Sequence, residues 1–379
     1  MKEKYIIFGA GRYGEEALLY YGISNVAFFC DNKKFGTVVK GVEVIDFPRF
    51  LELWNKYIVV LAVLRGDYRR EIEQELRKHG VEYELFLSLE KKLQEDNFTG
   101  EYHFYNRSRQ KEQMLMILAG YKEYLWESVF ARVKKYVPSD IDVCVMTAGY
   151  ENETLRQLCE EMNWSYLYTD ENKLALVQNL TIREHPNAKW IYKMDEDIFL
   201  TPGVLEELMD TYQSVEQTSE YLVGIVAPLM GVNSYGYRRI LSWLGNLDEY
   251  EKQFGRAISG KGAIYANPGA AEFMWKMSLP INSFADKIRS IQNKFSVCPH
   301  RFSIGCFLIS RNNWDEMGGF KNALEGAMGV DEEYLCKWCM DSAHEIIVAE
   351  RAYAGHFAYG PQTERMKLFY ESRKADFDS

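Results

Sequence analysis

The run KYIVVLAVL, residues 56–64, does most to narrow what this chain can fold into. After one lysine it carries no charge and no polar alternation, and a strand of that kind is buried on both faces of a parallel sheet. Its neighbours fit the same picture. KYIIFGAGRYG reads as a short apolar strand and a glycine turn, EEALLYYGI as a helix with an apolar stripe, and NVAFFCDN as a strand ending in Asp31. GVEVIDFPRFLELW reads as a short strand and a helix, DYRREIEQELRKHG as a charged amphipathic helix ending at Gly80, and VEYELFLSL as a last strand. Strands alternating with helices predict a doubly wound parallel sheet over residues 1–88.

Residues 89–111, EKKLQEDNFTGEYHFYNRSRQKE, are polar and without clear periodicity, and read as a linker. A larger α/β domain is expected over residues 112–379. QMLMILAGY, DIDVCVMTAGY, WSYLYTD and AKWIYKMDED read as strands separated by helical segments, with a more irregular pattern beyond residue 220. At 379 residues, two or three domains of roughly 100–200 residues are expected.

The net charge of −10 argues against a general nucleic-acid binder, which shows a basic face. An anionic substrate would need a metal or a local basic cluster. No segment approaches the roughly 20 apolar residues of a membrane helix, and MKEKYIIFGAG enters a strand at once without a signal-peptide core. A cytoplasmic protein is the expectation. The seven cysteines are odd in number and scattered, as in a reducing compartment. Cys336 and Cys339 form a lone C-x-x-C without the second pair of a zinc site.

Gly9-Ala10-Gly11-Arg12-Tyr13-Gly14 fits G-x-G-x-x-G between a strand and a helix, with Asp31 at the end of the next strand. That is the context of a dinucleotide-binding turn. Gly9, Gly11 and Gly14 would let the backbone approach a diphosphate at the helix N-terminus, and Asp31 would accept from ribose hydroxyls. The competing reading is a docking domain whose turn merely packs tightly. With FGAG, FCDN and a G-x-x-V element, the segment resembles the Rossmann-like domains attached to bacterial sugar-modifying enzymes, which implies a nucleotide as a candidate ligand.

WIYKMDEDIFLTPG, residues 190–203, sets Asp195-Glu196-Asp197 between apolar segments. Acids in that position need a compensating partner. On an extended strand Asp195 and Asp197 share one face and Glu196 takes the other. The strand's C-terminal end is the edge at which open α/β sheets bind ligands. Carboxylates converging there repel unless a cation lies between them. Mg²⁺ or Mn²⁺ would suit, since such an ion keeps positions for water and phosphate oxygens. The competing reading is an acidic turn favoured by a helix dipole. Thr201 as N-cap and Pro202 at the first position predict a helix start.

Residues 112 to about 360 resemble a glycosyltransferase of the GT-A fold. MLMILAGY, ending in the turn Leu118-Ala119-Gly120, is similar to the first nucleotide-binding strand, and VCVMTAGYENETLRQLCEE to the second strand and its helix. NKLALVQNLTI, with Gln178-Asn179, is similar to the helix before the metal strand, and YKMDEDIFLTPGVLEEL to the Asp-x-Asp strand with its turn and helix. FSIGCFLISRNNWDEMGGF stands where the acceptor side is shaped, GVDEEYL where inverting members carry an acidic pair, and AERAYAGHFAYG where a late histidine reaches the metal. The resemblance implies a small Rossmann-like parallel sheet followed by a GT-A-type α/β domain with a mixed sheet. It implies metal-dependent transfer of a sugar, with inversion, from a nucleoside diphosphate sugar (a UDP-sugar foremost) to a glycan, lipid-linked or protein acceptor. Synthesis of a bacterial surface polysaccharide or glycoconjugate, with peripheral membrane association, is the implied setting.

Carried onto this chain, the resemblance implies Asp195, Asp197 and His356 as metal ligands. It implies Ala119, Gly120, Asn179 and Asp195 as donor contacts, and Asp331 or Glu332 as the base that takes the acceptor's proton. Which of the two is the base stays open. A base at that helix N-terminus is expected to have a lowered pKa. His344 competes with His356. Lys193 faces either phosphates or solvent. Trp243, Trp275 and Trp314 stack on sugars or fill the core. GYRR (236–239) and SGKGA (259–263) are candidate lids over the donor phosphates.

Three other readings compete. A nucleotidyltransferase would need a glycine- and Arg/Lys-rich loop before its fold, which MLMILAGYKEY lacks. An NAD-linked oxidoreductase would need a catalytic Tyr-Lys or Cys pair near the first glycine turn. A non-catalytic scaffold is disfavoured by the intact Asp195/Asp197 pair.

Overall fold

A computed structural model describes residues 4–63, 66–291, 293–322 and 329–378. The chain is α/β and divides into two units, Met1–Asp96 and Asn97–Ser379.

The first unit carries a six-stranded sheet in the order Val38–Val39, Val42–Ile45, Val26–Cys30, Tyr5–Phe8, Ile58–Leu61, Glu84–Leu85. All pairings are parallel except the antiparallel pairing of Val38–Val39 with Val42–Ile45. The apolar run explains its own place. Val60 packs with Ile7 and Phe29 on one face, and Val59 and Leu61 with Ile6 and Phe50 on the other. Leu64, the end of that run, lies outside the described residues.

Gly9 takes φ +98°, and a Cβ on Gly14 would fall 1.9 Å from the Gly9 carbonyl oxygen. Close packing of the helix Arg12–Tyr21 on its strand therefore requires the third glycine. Gly14→Ala is expected to destabilise this unit by about 2 kcal/mol or more, read as an earlier urea transition.

The expected linker is structured. Leu89–Asp96 is a helix, and Tyr102–Tyr105 is a strand pairing antiparallel with Ser165–Thr169. That strand edges the nine-stranded mixed sheet of the second unit. From the other edge the order is Phe295–Val297, His344–Tyr353, Leu222–Leu229, Cys306–Ser310, Trp190–Asp195, Gln113–Leu118, Ile141–Ala148, Ser165–Thr169, Tyr102–Tyr105. Trp190–Asp195 lies in the middle, parallel to Gln113–Leu118 and antiparallel to Cys306–Ser310. Its Ile191, Tyr192 and Met194 are buried.

Several expectations change at this level. The helix after Thr201-Pro202 starts at Val204, capped by Gly203 at φ +72°, because the Thr201 hydroxyl instead donates to the Tyr353 carbonyl at 2.5 Å. GYRR is no flexible lid. It opens the helix Gly236–Leu244, with Arg238 donating to the Ala257 carbonyl at 3.0 Å and Arg239 ion-paired with the buried Glu350. Trp275 and Trp314 are buried, and Trp243 packs against the core. All seven cysteines are buried free thiols. Cys336 and Cys339 belong to the buried side of the helix Val330–Asp341. His344 stacks on Trp338. Among the described residues no helix is long and apolar enough to cross a membrane.

Candidate active site

The strand Trp190–Asp195 ends at its first acid, and Glu196-Asp197 form a turn into the short strand Ile198–Phe199. The three acids are thus not all on an extended segment. Backbone bonds hold the turn from three sides. The N–H of Asp195 donates to the Gly305 carbonyl at 2.8 Å, that of Glu196 to the Leu118 carbonyl at 2.9 Å, and that of Phe357 to the Asp197 carbonyl at 3.0 Å.

Glu196 is the structural acid of the three. Its carboxylate accepts from the backbone N–H groups of Gly120 (2.9 Å), Tyr121 (2.7 Å) and Lys122 (3.0 Å), and from the Trp126 indole (2.5 Å). These donors stand at the start of the helix Glu123–Tyr136, where unpaired N–H groups and the helix dipole favour a carboxylate. Glu196→Ala would orphan four donors, the buried Trp126 indole and three part-buried backbone N–H groups. Its expected cost is about 3 kcal/mol or more, read by denaturant unfolding. Glu196→Gln, which keeps one accepting oxygen, should cost less.

Asp195 and Asp197 each face a lysine. Lys193 is buried, donates to Asp195 Oδ1 at 2.6 Å and to the Ile304 carbonyl at 3.0 Å, and so faces neither solvent nor open cleft. Lys122 is ion-paired with Asp197 Oδ2. Burial pushes the Asp197 carboxyl up, but Lys122, His356 and Lys193 outweigh it and hold the group below the usual carboxylate range. Burial and the neighbouring Asp197 keep Asp195 above that range in spite of Lys193.

His356 is brought in by a two-residue ladder in which Ile198 pairs with His356 and Phe199 with Gly355. Its Nδ1 lies 2.5 Å from the Val232 carbonyl. A carbonyl only accepts, so Nδ1 carries a proton and Nε2 is left to face the acids. Nε2 stands 3.6 Å from Asp197 Oδ2. Gly305 packs closely beside this cluster: a Cβ there would sit 3.2 Å from Ile198 Cδ1, 3.6 Å from Asp195 Oδ2 and 3.9 Å from the His356 ring.

Among the described residues no three His, Cys, Asp or Glu side chains are grouped to hold a metal ion by themselves. The donor chemistry nevertheless fits Mg²⁺ or Mn²⁺. An imidazole fixed through its other nitrogen and a carboxylate face one another, and a second carboxylate, Asp195, lines the same cleft. Hard divalent ions commonly take few protein ligands and complete their shell with water and phosphate oxygens.

These groups line a cleft of about 810 Å³ that also takes in Leu118, Tyr265, Tyr359, Arg301 and Glu332. Glu332 accepts from Arg301 Nε at 2.5 Å and from the Ile304 N–H at 3.3 Å. Burial raises its pKa and Arg301 only partly offsets this, so the net shift is upward. The lowering expected from the helix N-terminus is overridden. Asp331, one residue earlier, accepts from Gln178 Nε2 at 3.1 Å and is not among the groups lining the cleft.

Asn179 is not a donor contact. It is fully buried, its amide donating to the Asn97 and Phe320 carbonyls and accepting from the Phe320 N–H and the Trp314 indole. Ala119 is buried, and Gly120 is tied to Glu196 and to the Tyr150 hydroxyl. Gly260 of SGKGA lines the cleft.

In the first unit Asp31 is spent on the glycine turn. Its Oδ2 accepts from the Ala10 N–H at 3.0 Å and its Oδ1 from the Lys33 N–H at 2.9 Å, while Lys34 Nζ donates to the Ala10 carbonyl at 2.7 Å. Nothing stands within 4 Å of a Cβ on Gly11. Of the functional groups around the acids, Lys122, Gly305 and Arg301 went unread in the sequence. The only signal for Lys122 was a lone cation straight after the Ala119-Gly120 turn.

No protein-family model matches the chain, and no curated protein matches it. Among solved structures, a mannosyltransferase from Pyrobaculum calidifontis, determined with GDP-mannose and Mn²⁺, is similar at 12% identity and a TM-score of 0.40, covering 73% of this chain. This chain spans 66% of that protein's length.

Proposed function

We propose that the second unit transfers a sugar from a nucleoside diphosphate sugar to a hydroxyl of a glycan or glycoconjugate, with inversion at the anomeric carbon. The observation that carries the reading is the cleft itself. Asp195, Asp197, His356 and Glu332 line one cleft, with His356 Nε2 3.6 Å from Asp197 Oδ2. In this reading Asp197 and His356, with Asp195, hold a divalent ion, which supplies Lewis-acid neutralisation of the departing diphosphate. Glu332 takes the proton of the acceptor hydroxyl as the new glycosidic bond forms. Arg301 orients that carboxylate. The rings of Tyr265 and Tyr359, 5.0 Å apart, give the cleft an apolar wall that suits a sugar face. The setting implied by the resemblance, a surface polysaccharide or glycoconjugate pathway fed by a UDP-sugar, belongs to this proposal.

The test is a screen of UDP-, GDP- and dTDP-sugars with Mn²⁺ or with EDTA, reading release of the nucleoside diphosphate. Turnover of one donor that stops in EDTA supports the reading. A protein that neither turns over a donor nor binds a nucleoside diphosphate overturns it.

A further inference from the structure

Two lysines serve the paired acids, and they differ in how firmly they are held. The Lys193 side chain is 3% exposed and anchored by two strong bonds, to Asp195 and to the Ile304 carbonyl. The Lys122 side chain is 21% exposed and lines the cleft, and among the described residues its ammonium has, beyond Asp197, the Ala358 carbonyl at 3.4 Å. Its backbone, by contrast, is pinned by Glu196. Lys122 is therefore a long flexible cation on a fixed root, facing open space.

The ammonium also rests on a contested atom. Asp197 Oδ2 is the oxygen 3.6 Å from His356 Nε2. A carboxylate oxygen that accepts a divalent ion cannot keep an ammonium at contact distance, because the two cations repel. The room available to Lys122 is the cleft, where a diphosphate would offer it charge-assisted hydrogen bonds.

We propose that Lys122 is a donor-diphosphate ligand held in reserve on Asp197: it neutralises that carboxylate in the empty site and swings to the diphosphate when a divalent ion occupies the acids. The proposal rests on the transferase reading above. Its alternative is a lysine that stays on Asp197 as a structural partner.

The two make opposite predictions for binding by the full-length protein. Mn²⁺ affinity is measured without nucleotide, by electron paramagnetic resonance of the free ion. UDP and GDP affinities are measured by calorimetry in saturating Mn²⁺. Lys122→Met should bind Mn²⁺ alone about tenfold more tightly, since a competing cation is gone. It should bind UDP or GDP about tenfold more weakly, since a charge-assisted contact is lost. Lys122→Arg should keep the wild-type order of both, and melting curves show whether each variant is folded. If Lys122→Met is unfolded, Lys122→Gln takes its place with the same expected signs. Weaker or unchanged Mn²⁺ binding, or unchanged nucleoside diphosphate binding, in the folded variant overturns the role of Lys122 while leaving the transferase reading standing. A wild-type protein that binds neither Mn²⁺ nor either nucleotide overturns both.

Discussion

Asp197→Asn is expected to lower donor turnover by about 10³-fold or more while leaving the chain folded. The carboxylate is the centre of the cluster, meeting Lys122 and the His356 ring nitrogen on one oxygen. An amide there keeps the shape but removes the charge that would hold a divalent ion, and loss of such electrostatic stabilisation costs several kcal/mol in the barrier. Folding suffers less. Breaking a buried ion pair costs about 3–5 kcal/mol when the orphaned charge stays buried, but Lys122 lines the cleft and can turn to water. Donor turnover and thermal melting, measured together, separate the two. A variant that melts like the wild type and still turns over donor at the wild-type rate would exclude Asp197 from the chemistry. EDTA on the wild type should reproduce the loss, with recovery on adding Mn²⁺.

Glu332→Gln is the second large effect. In the proposed reaction, losing the general base costs about 10²–10⁴ in kcat, with donor affinity little changed because such a base would touch the acceptor. Asp331→Asn should stay close to wild type, since its carboxylate is engaged by Gln178 rather than lining the cleft. The base works only when deprotonated, and burial sets its pKa above that of a free glutamate. Activity is therefore present above that raised pKa and lost as pH falls through it. Arg301 holds the value down, so Arg301→Met should move the acid limb of the profile to still higher pH. An acid limb that survives in Glu332→Gln would assign it to another group.

Much of the fold was legible because burial on two faces leaves a plain mark. Ile58–Leu61 and Trp190–Tyr192 are continuous apolar runs, and both lie in interior strands. Tyr102–Tyr105 was not legible. Its four residues alternate half-buried and exposed side chains built from Tyr, His and Phe, a pattern too short to separate from a loop. At the site, the position of the acids at a strand end could be read, but their partners could not. Lys122 reaches Asp197 from 75 positions away, and Lys193, though only 2 positions from Asp195, is turned inward by the Ile304 carbonyl 111 positions away. Asn179 shows the opposite error. The resemblance to the helix before a metal strand gave it a functional reading, whereas its amide closes hydrogen bonds to Asn97 and Phe320 in the core. For Glu332, a local argument from the helix dipole was outweighed by burial, a property only the assembled fold has.

The ladder that seats His356 beside Ile198 also sets a timetable. Lys122 and Ala358, which meet across the cleft, are 236 positions apart, and the histidine arrives on the same late segment. Contacts of such long separation form late, because loop closure must precede them. Chains emerge from the ribosome N-terminal end first. The strands from Tyr102–Tyr105 to Trp190–Asp195 are therefore synthesised before Cys306–Ser310 and His344–Tyr353, which complete the sheet, and before His356. The surroundings of the acids are thus closed by segments made well after the acids themselves.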